Sequence, residues 1–157
     1  SIVTIMSTYN SLSVPNYQRL IHNVYELKET YASSDRYWKS ATFLDSSYLR
    51  FPQHQTVQVL PDIWNQEILR QAQLLDFLAV PQFESHFIGY SDIEIQKVKR
   101  IYDWKTANWE GKDEQVRQQR YNFGKMFQEH DKRRGTDFRK VFPELADFYN
   151  DCLEIKL

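Results

Sequence analysis

Cysteine is nearly absent from this chain of 157 residues, which contains a single one, Cys152. An intrachain disulfide needs two cysteines, and a cysteine zinc site or an iron–sulfur cluster held by the chain's own thiolates needs several. All three are excluded by counting. We interpret Cys152 as a buried structural thiol, because it falls on the apolar face of a helix predicted near the end of the chain.

Glycine is also scarce, with four in the chain, all of them after residue 88. The phosphate-binding loops of P-loop and dinucleotide-binding proteins place glycines between a strand and a helix. The first half of the chain therefore excludes both kinds of loop. The four histidines are spread along the chain as His22, His54, His86 and His130, too far apart for two of them to form a metal site at short helical spacing. We predict no metal ligand in this chain.

Long apolar runs are missing as well, and none reaches the length of about 18 residues that a membrane-spanning helix requires. The N-terminus has neither the basic start nor the small-residue cleavage site of a signal peptide. We therefore expect a cytoplasmic protein that does not span a membrane. The chain begins without Met at Ser1, next to a strand-like run. This start favours a piece of a longer polypeptide, and a processed N-terminus is the alternative.

Charge of one sign does not dominate, since the net charge is −1. A balanced chain gives no overall reason to expect a polyanionic partner. Its length and its 41% hydrophobic content predict a single domain, or a fragment of one, with a real core. The charges are unevenly placed: residues 1–80 hold 6 basic and 7 acidic side chains, whereas residues 81–157 hold 14 of each.

The first part of the chain alternates between strand-like and helix-like segments. A β-rich run at 2–6 predicts a buried strand with a polar exit, and helical spacing of apolar residues predicts a helix after Ser13. A second strand is predicted at 40–44, and alternation of polar and apolar residues predicts a third at 55–60. Strands separated by a helix are typical of the α/β class, because parallel strands need crossover connections.

The rest of the chain has a helical pattern. The clearest start is at Ser91 and Glu94, whose spacing predicts a capping box. The predicted starts of the four helices in this part are Asp62, Ser91, Asp113 and Pro143. We therefore predict an α/β portion at 1–60 and a mainly helical portion at 61–157.

Polar side chains follow the first two predicted strands. They are Ser7, Thr8 and Asn10 after the first strand, and Asp45, Ser46 and Ser47 after the second. In parallel α/β sheets, ligands bind beyond the carboxyl ends of the strands. The same residue types are also common in helix caps and turns. Ligand binding and turn formation are therefore both open interpretations.

A basic strip at 117–140 carries eight basic and three acidic side chains, with phenylalanines between them. Such a strip can bind phosphates and stack bases, as single-stranded nucleic-acid platforms do. The alternative is a set of amphipathic helices with the aromatic rings inward and the charges outward. Within the strip, the polar segment 129–135 predicts an ionic turn in which Asp131 and Asp137 pair with arginines.

Four segments of the sequence are considered together: TIMSTYNSLSVPNY at 4–17, FLDSSYLRFP at 43–52, GYSDIEI at 89–95 and EHDKRRGTDF at 129–138. They resemble the C-terminal portion of radical S-adenosylmethionine proteins of the twitch-domain type. Members of that superfamily have a partial (β/α) barrel, in which three cysteines of a CxxxCxxC loop hold a four-iron four-sulfur cluster. The cluster binds S-adenosylmethionine and cleaves it reductively to a 5′-deoxyadenosyl radical.

This chain has no CxxxCxxC motif and no cysteines for an auxiliary cluster. The resemblance therefore implies a cluster-free C-terminal part of such an enzyme, inactive alone, or a degenerate relative without radical chemistry. It implies that 1–60 contains late barrel strands and that 61–157 forms a helical extension. The implied partner is the remainder of the barrel, which carries the cluster and S-adenosylmethionine, and the substrate is unknown.

By their placement after late strands, Ser7, Asn10 and Asp45 are the residues that the resemblance assigns to cofactor or substrate binding. It assigns no catalytic residue to this chain. Two other functions are open. One is a nucleic-acid-binding module that uses the basic strip, and the other is a structural assembly protein whose many aromatic side chains form interfaces.

Overall fold

The computed structural model describes residues 2–32, 42–80 and 88–157. Within these ranges the chain forms two strands and six α-helices, joined by loops and short 3-10 turns. The strands are β1 (Val3–Tyr9) and β2 (Thr42–Tyr48). The helices are α1 (Tyr17–Thr30), α2 (Asn65–Phe77), α3 (Asp92–Thr106), α4 (Lys112–Arg134), α5 (Phe138–Val141) and α6 (Ala146–Glu154).

The two strands form a parallel sheet, with α1 between them in the sequence. The register places Ile5 opposite Leu44 and Tyr9 opposite Tyr48. The fold is therefore mixed α/β, as predicted, and it is mostly helical. The described residues form a two-stranded sheet rather than a barrel, so the partial barrel stays a prediction.

Both strands continue past their predicted ends, so the residues expected to lie beyond them are inside them. Residues 40 and 41 of the second predicted strand lie outside the described residues. Ser7 and Thr8 belong to β1, and Asp45, Ser46 and Ser47 belong to β2. These polar residues do not end the strand pairing, because a buried hydroxyl on the strand has a hydrogen-bond partner. The Tyr17 hydroxyl lies 2.6 Å from the Ser46 hydroxyl. Asn10 alone among the predicted site residues follows its strand.

The predicted strand at 55–60 is wrong. This segment contains 3-10 turns at Gln53–Gln55 and Val57–Val59. The main-chain N–H of Leu60 donates to the Val57 carbonyl at 3.2 Å, so the backbone is bonded locally. Val57, Val59 and Leu60 are all buried, which differs from the alternation of a half-exposed strand.

Most predicted helix starts fall close to the observed ones. The capping box of α3 is confirmed, because the Glu94 carboxylate accepts a hydrogen bond from the Ser91 backbone N–H at 2.8 Å. Helices α1, α2 and α6 each follow a 3-10 turn, so their α-helical parts begin later than predicted. Helix α4 begins before the predicted cap at Asp113, with Gly111 as its N-cap.

The predicted turn at 129–135 is wrong, because α4 continues through Arg134. The predicted pairing with an arginine is found for Asp137, whose carboxylate lies 3.8 Å from Arg139. Gly135 ends the helix in the left-handed conformation, with φ of 65°, which favours glycine at this position. The Arg133 side chain donates to Glu129 one helical turn earlier, at 2.7 Å. The Asp131 carboxylate accepts from the Phe138 backbone N–H at 2.8 Å and so joins α4 to α5.

One hydrophobic core joins both portions of the chain. It includes residues of the sheet, of α1 to α3, and an aromatic group around Phe123. The packing requires a glycine next to Tyr90, which forms a bridge with Ala79. Gly89 has φ of 143°, and a Cβ at this position would lie 2.6 Å from the Leu78 carbonyl oxygen. Among the helices of the described ranges, none combines the length and the apolar character that crossing a membrane requires.

Candidate functional site

The sheet has two unlike faces. On the face that α1 covers, Tyr9, Leu44 and Ser46 are buried. On the opposite face, called here the open face, Thr4, Met6, Thr8 and Ser47 are exposed and Phe43 and Asp45 are partly buried. Successive side chains of a strand point to opposite faces, so residues of the predicted site are divided between the two.

Ser7 lies on the covered face, opposite Ser46 in the register. Burial raises the pKa of the Tyr17 hydroxyl, and hydrogen bonds with Ser46 and Ser7 oppose that rise. The Ser7 hydroxyl is therefore part of the contact between the sheet and α1.

Asn10 follows β1 and holds the turn that leads to α1. Its side-chain oxygen accepts from the backbone N–H groups of Leu12 at 2.9 Å and Ser13 at 3.2 Å. Its amide nitrogen donates to the Thr8 carbonyl at 3.3 Å. This arrangement is an Asx turn, one of the two roles that the sequence left open for this residue.

Asp45 lies on the open face, where it forms an ion pair with Lys97 of α3. The hydrogen bond from Lys97 lowers the pKa of the Asp45 carboxyl, and a second hydrogen bond, from Ser47 at 3.1 Å, adds to the effect. The carboxylate is therefore charged at neutral pH while remaining 27% exposed. Of the three predicted site residues, Asp45 has the side chain that a ligand on the open face would meet.

A groove of about 270 Å³ lies beside Asp45, at the carboxyl half of β2. Three cationic side chains line it, those of Arg50, Lys97 and Arg100. The Arg50 guanidinium is held over the Tyr48 ring, 5.0 Å from its centroid. The groove is thus suited to an anionic group, since charged hydrogen bonds from arginine and lysine to carboxylates are strong.

The edge of β2 away from β1 is closed by a buried ion pair that the sequence reasoning missed. Lys28 of α1 lies 2.9 Å from Glu94 of α3, and their side chains are 1% and 4% exposed. Lys28 also donates to the Thr42 carbonyl at 2.7 Å, and Glu94 accepts from the Leu44 backbone N–H at 2.7 Å. The pair therefore binds main-chain groups that a neighbouring strand would otherwise use.

A signal for Lys28 was present in the sequence. The buried stripe of α1 is Tyr17, Ile21, Val24 and Lys28, at helical spacing. The neighbouring apolar residue Leu27, which fits the same helical spacing in the sequence, is instead 38% exposed. A lysine on an apolar stripe predicts a buried cation that needs an acid, although the spacing does not identify Glu94 as that acid.

The edge of β1 is built differently. Among the described residues, β1 pairs with β2 alone. Its large apolar side chains are exposed, Val3 by 55% and Met6 by 79%, and the preceding Ile2 by 66%. Parallel sheets normally have both faces covered, and an exposed edge strand can pair with another strand. The edge of β1 is therefore available to a further strand.

In the basic strip at 117–140, the aromatic rings point inward, as in the amphipathic-helix alternative. Phe123 and Phe138 are 0% and 2% exposed, and Phe127 packs against both. The cationic side chains of Lys125, Lys132, Arg133 and Arg134 are exposed on α4. The strip therefore offers charges, while its phenylalanines are occupied in the core rather than free to stack on bases.

Cys152 is buried on α6, as predicted, and burial raises the pKa of its thiol to about 12. Its backbone lies so close to Gly124 of α4 that a Cβ there would be 3.1 Å from the Cys152 carbonyl. Within the described ranges, the structure shows no cluster of three or more His, Cys, Asp or Glu side chains suited to a metal ion. His22 and His130 are exposed, and His86 lies outside the described residues.

No family model, curated protein or solved structure matches the chain. The resemblance to radical S-adenosylmethionine proteins therefore rests on the four sequence segments.

Proposed function

We propose that this chain is the cluster-free C-terminal part of a radical S-adenosylmethionine enzyme, inactive alone. In this proposal, β1 and β2 are the last two strands of a partial (β/α) barrel whose remaining strands belong to the part that carries the cluster. The chain completes the pocket for S-adenosylmethionine and substrate. Its contribution is positioning, which accelerates a reaction by fixing the reacting groups in a productive geometry.

The observation that carries the proposal is the difference between the two sheet edges. A strand added beside β2 would meet the Lys28–Glu94 pair, whereas a strand added beside β1 would cover Met6 and neighbouring apolar side chains. Within the described residues, the start of the β2 edge is therefore blocked, and the β1 edge is open to a further strand. A barrel segment that ends at β2 and continues through β1 has this property.

The open face supplies the second support. In a barrel the helices lie outside, so the face opposite α1 would face the interior, where side chains from several strands meet. Asp45 lies on that face, and the cationic groove adjoins it. We assign Asp45 to a contact with hydroxyl groups of the cofactor or substrate, and the groove to a carboxylate. Ser7 and Asn10 support the sheet and its turn.

The cluster and S-adenosylmethionine, when bound to the complete enzyme, supply the electron and the carbon radical. The cluster's cysteines would come from the other part of the barrel. Cys152 is buried on α6 with a raised pKa, which disfavours the thiolate that iron requires. In this proposal, the residues of this chain hold and orient the cofactor and the substrate. The Asp45 carboxylate stays charged beside Lys97 in that role.

The test begins with the native reading frame before Ser1. We expect it to encode CxxxCxxC in the same polypeptide. The complete protein, purified without oxygen and reduced with dithionite, is then expected to convert S-adenosylmethionine to 5′-deoxyadenosine. In that protein, Asp45→Ala is expected to lower the yield of 5′-deoxyadenosine about tenfold, which is the loss of roughly one strong hydrogen bond.

A matched control is Asp76→Ala, which removes the carboxylate of another ion pair of α3, Lys99–Asp76, away from the open face. It is expected to keep full activity. Iron content and the visible spectrum show whether each variant retains its cluster. A reading frame without CxxxCxxC would overturn the proposal, and full activity of a cluster-loaded Asp45→Ala protein would overturn the assignment of Asp45.

A further inference from the structure

A large cleft lies away from the sheet's open face, between the end of α3, the start of α4 and the turn at Pro61. Its volume is about 880 Å³, within the range of about 300–1,000 Å³ of small-molecule sites. Polar and charged groups dominate the wall. The charged side chains are the cations Lys105, Lys112, Arg117 and Arg120 and the anions Asp62 and Asp113.

Lys105 is the unusual member of this set. Its side chain is 2% exposed, and its ammonium lies 3.2 Å from a carboxylate oxygen of Asp62, which is 89% exposed. A lysine ammonium has three N–H donors, and Asp62 is its one hydrogen-bond partner in the described part of the chain. A buried cation with more donors than acceptors is costly unless a further acceptor reaches it.

The neighbouring cations are close enough to affect Lys105. Burial lowers the pKa of Lys105, the contact with Asp62 opposes this, and the charges of Lys112 and Arg120 lower it further. The Arg120 side chain is fixed, because its Nε donates to the Val59 carbonyl at 2.6 Å. The cleft therefore has an excess of positive charge around Lys105, and the Arg120 cation is already held in position.

The start of α4 adds to this field. Lys112 is the first residue of the helix, and its own N–H donates to the Trp109 carbonyl at 3.2 Å. The N–H groups of Asp113 and Glu114 follow it in the first turn and have no partner inside the helix. Four cations and two carboxylates line the wall, and Arg117 also pairs with Glu114 at 3.9 Å, so the cleft keeps a net positive charge that is concentrated at Lys105, Lys112 and Arg120. A phosphate group is a dianion near neutral pH and accepts several hydrogen bonds.

We propose that this cleft binds a phosphorylated small molecule, with its phosphate in the corner formed by Lys105, Lys112 and Arg120. The volume allows a ligand of nucleotide size, and Gln58 and Asn108 on the wall offer hydrogen bonds to its uncharged part. This site shares no residue with the open face of the sheet. It is independent of the proposed radical chemistry.

Calorimetric titration of the purified chain with inorganic pyrophosphate tests the proposal. We expect saturable binding with one site, and about a tenfold loss of affinity in Lys105→Met and in Lys112→Ala. Lys105→Met retains the length of the side chain and leaves behind a well-solvated Asp62, so it is expected to fold. Circular dichroism spectra verify this for each variant.

The control variant is Lys132→Ala, which removes an exposed cation from the other end of α4. It is expected to bind pyrophosphate like the wild type, and sodium chloride at equal ionic strength is expected to give no saturable heat. The proposal is overturned if pyrophosphate shows no saturation up to about 10 mM. It is also overturned if Lys132→Ala loses as much affinity as Lys112→Ala, because the attraction would then come from overall charge.

Discussion

At the outer edge of β2, main-chain groups are bonded to two buried charged side chains, whereas at the edge of β1 apolar side chains are exposed and no strand of the described residues follows. Lys28 and Glu94 bind the Thr42 carbonyl and the Leu44 N–H. On β1, Met6 is 79% exposed. The chain itself occupies the β2 edge, whereas no described segment pairs with the outer edge of β1.

This difference teaches how a parallel sheet can be ended. An exposed edge invites another strand, and proteins block it with charges, bulges or covering elements. Here the blocking charges are buried and paired, so they fix the position of α1 and α3 on β2 at the same time. The stability of the chain is therefore expected to depend on the closed edge, and its association on the open one.

The largest expected effect comes from breaking the closed edge with Lys28→Met. This change leaves the Glu94 carboxylate, which is 4% exposed, without its cation. We expect a loss of about 3–5 kcal/mol in the free energy of unfolding, as for other buried pairs that lose one partner. Urea unfolding followed by tryptophan fluorescence measures it.

The chain contains a closely matched control. Lys105→Met is the same substitution at a lysine of equal burial, but its partner Asp62 is 89% exposed and stays hydrated. We expect its stability to remain within about 1 kcal/mol of the wild type. If Lys28→Met unfolds too readily to purify, Glu94→Gln tests the same pair. Equal stability of the two methionine variants would contradict the structural role given to the closed edge.

The sequence predicted local features of the fold better than it predicted how distant segments meet. The α3 capping box is a contact between residues three apart, so residue types and spacing were enough to predict it. The strand ends were misplaced because Ser7 and Ser46 look like exit residues until the Tyr17 hydroxyl reaches them. That contact joins segments 29 residues apart, and no local pattern contains it.

The same limit applies to the candidate site. Asp45 was found because polar residues near strand ends are a known pattern, but its partner Lys97 is 52 positions away. The division of Ser7 and Asp45 between opposite faces followed once the strands were known to include them, since side chains alternate along a strand. The Lys28–Glu94 pair spans 66 positions, and the sequence offered only the hint of a lysine on an apolar stripe.

The open edge is expected to cause reversible association of the purified chain through β1. Met6→Lys places a charge on this strand and is expected to weaken association about tenfold, because charged side chains on edge strands oppose pairing with another chain. Sedimentation equilibrium over a range of concentrations measures the change. Ile63→Lys is the control, since Ile63 is 80% exposed outside the sheet. A wild-type chain that stays monomeric at every concentration would contradict the expectation.

The smallest effect concerns the ion pair that joins the open face to α3. The hydrogen bond from Lys97 lowers the folded-state pKa of Asp45 from its ordinary value of 3.8. A lowered carboxyl pKa stabilises the fold above the unfolded value, and that contribution is lost as the pH falls through the folded value. Asp45→Asn is therefore expected to cost about 0.2–1 kcal/mol at neutral pH, as partly exposed pairs do.

In acid, the stability difference between the wild type and Asp45→Asn is expected to shrink as the pH falls below 3.8 and through the lower folded-state pKa of Asp45, because the carboxyl is then protonated in both states. Urea unfolding at several pH values between about 2 and 7 measures this difference directly. A difference that grows as the pH falls would show that the Asp45 carboxylate does not stabilise the fold through Lys97. The two ion pairs of β2 then differ in their contributions to the free energy of unfolding. The Asp45–Lys97 pair on the open face contributes little and responds to acid, whereas loss of the buried Lys28–Glu94 pair at the edge costs several times more.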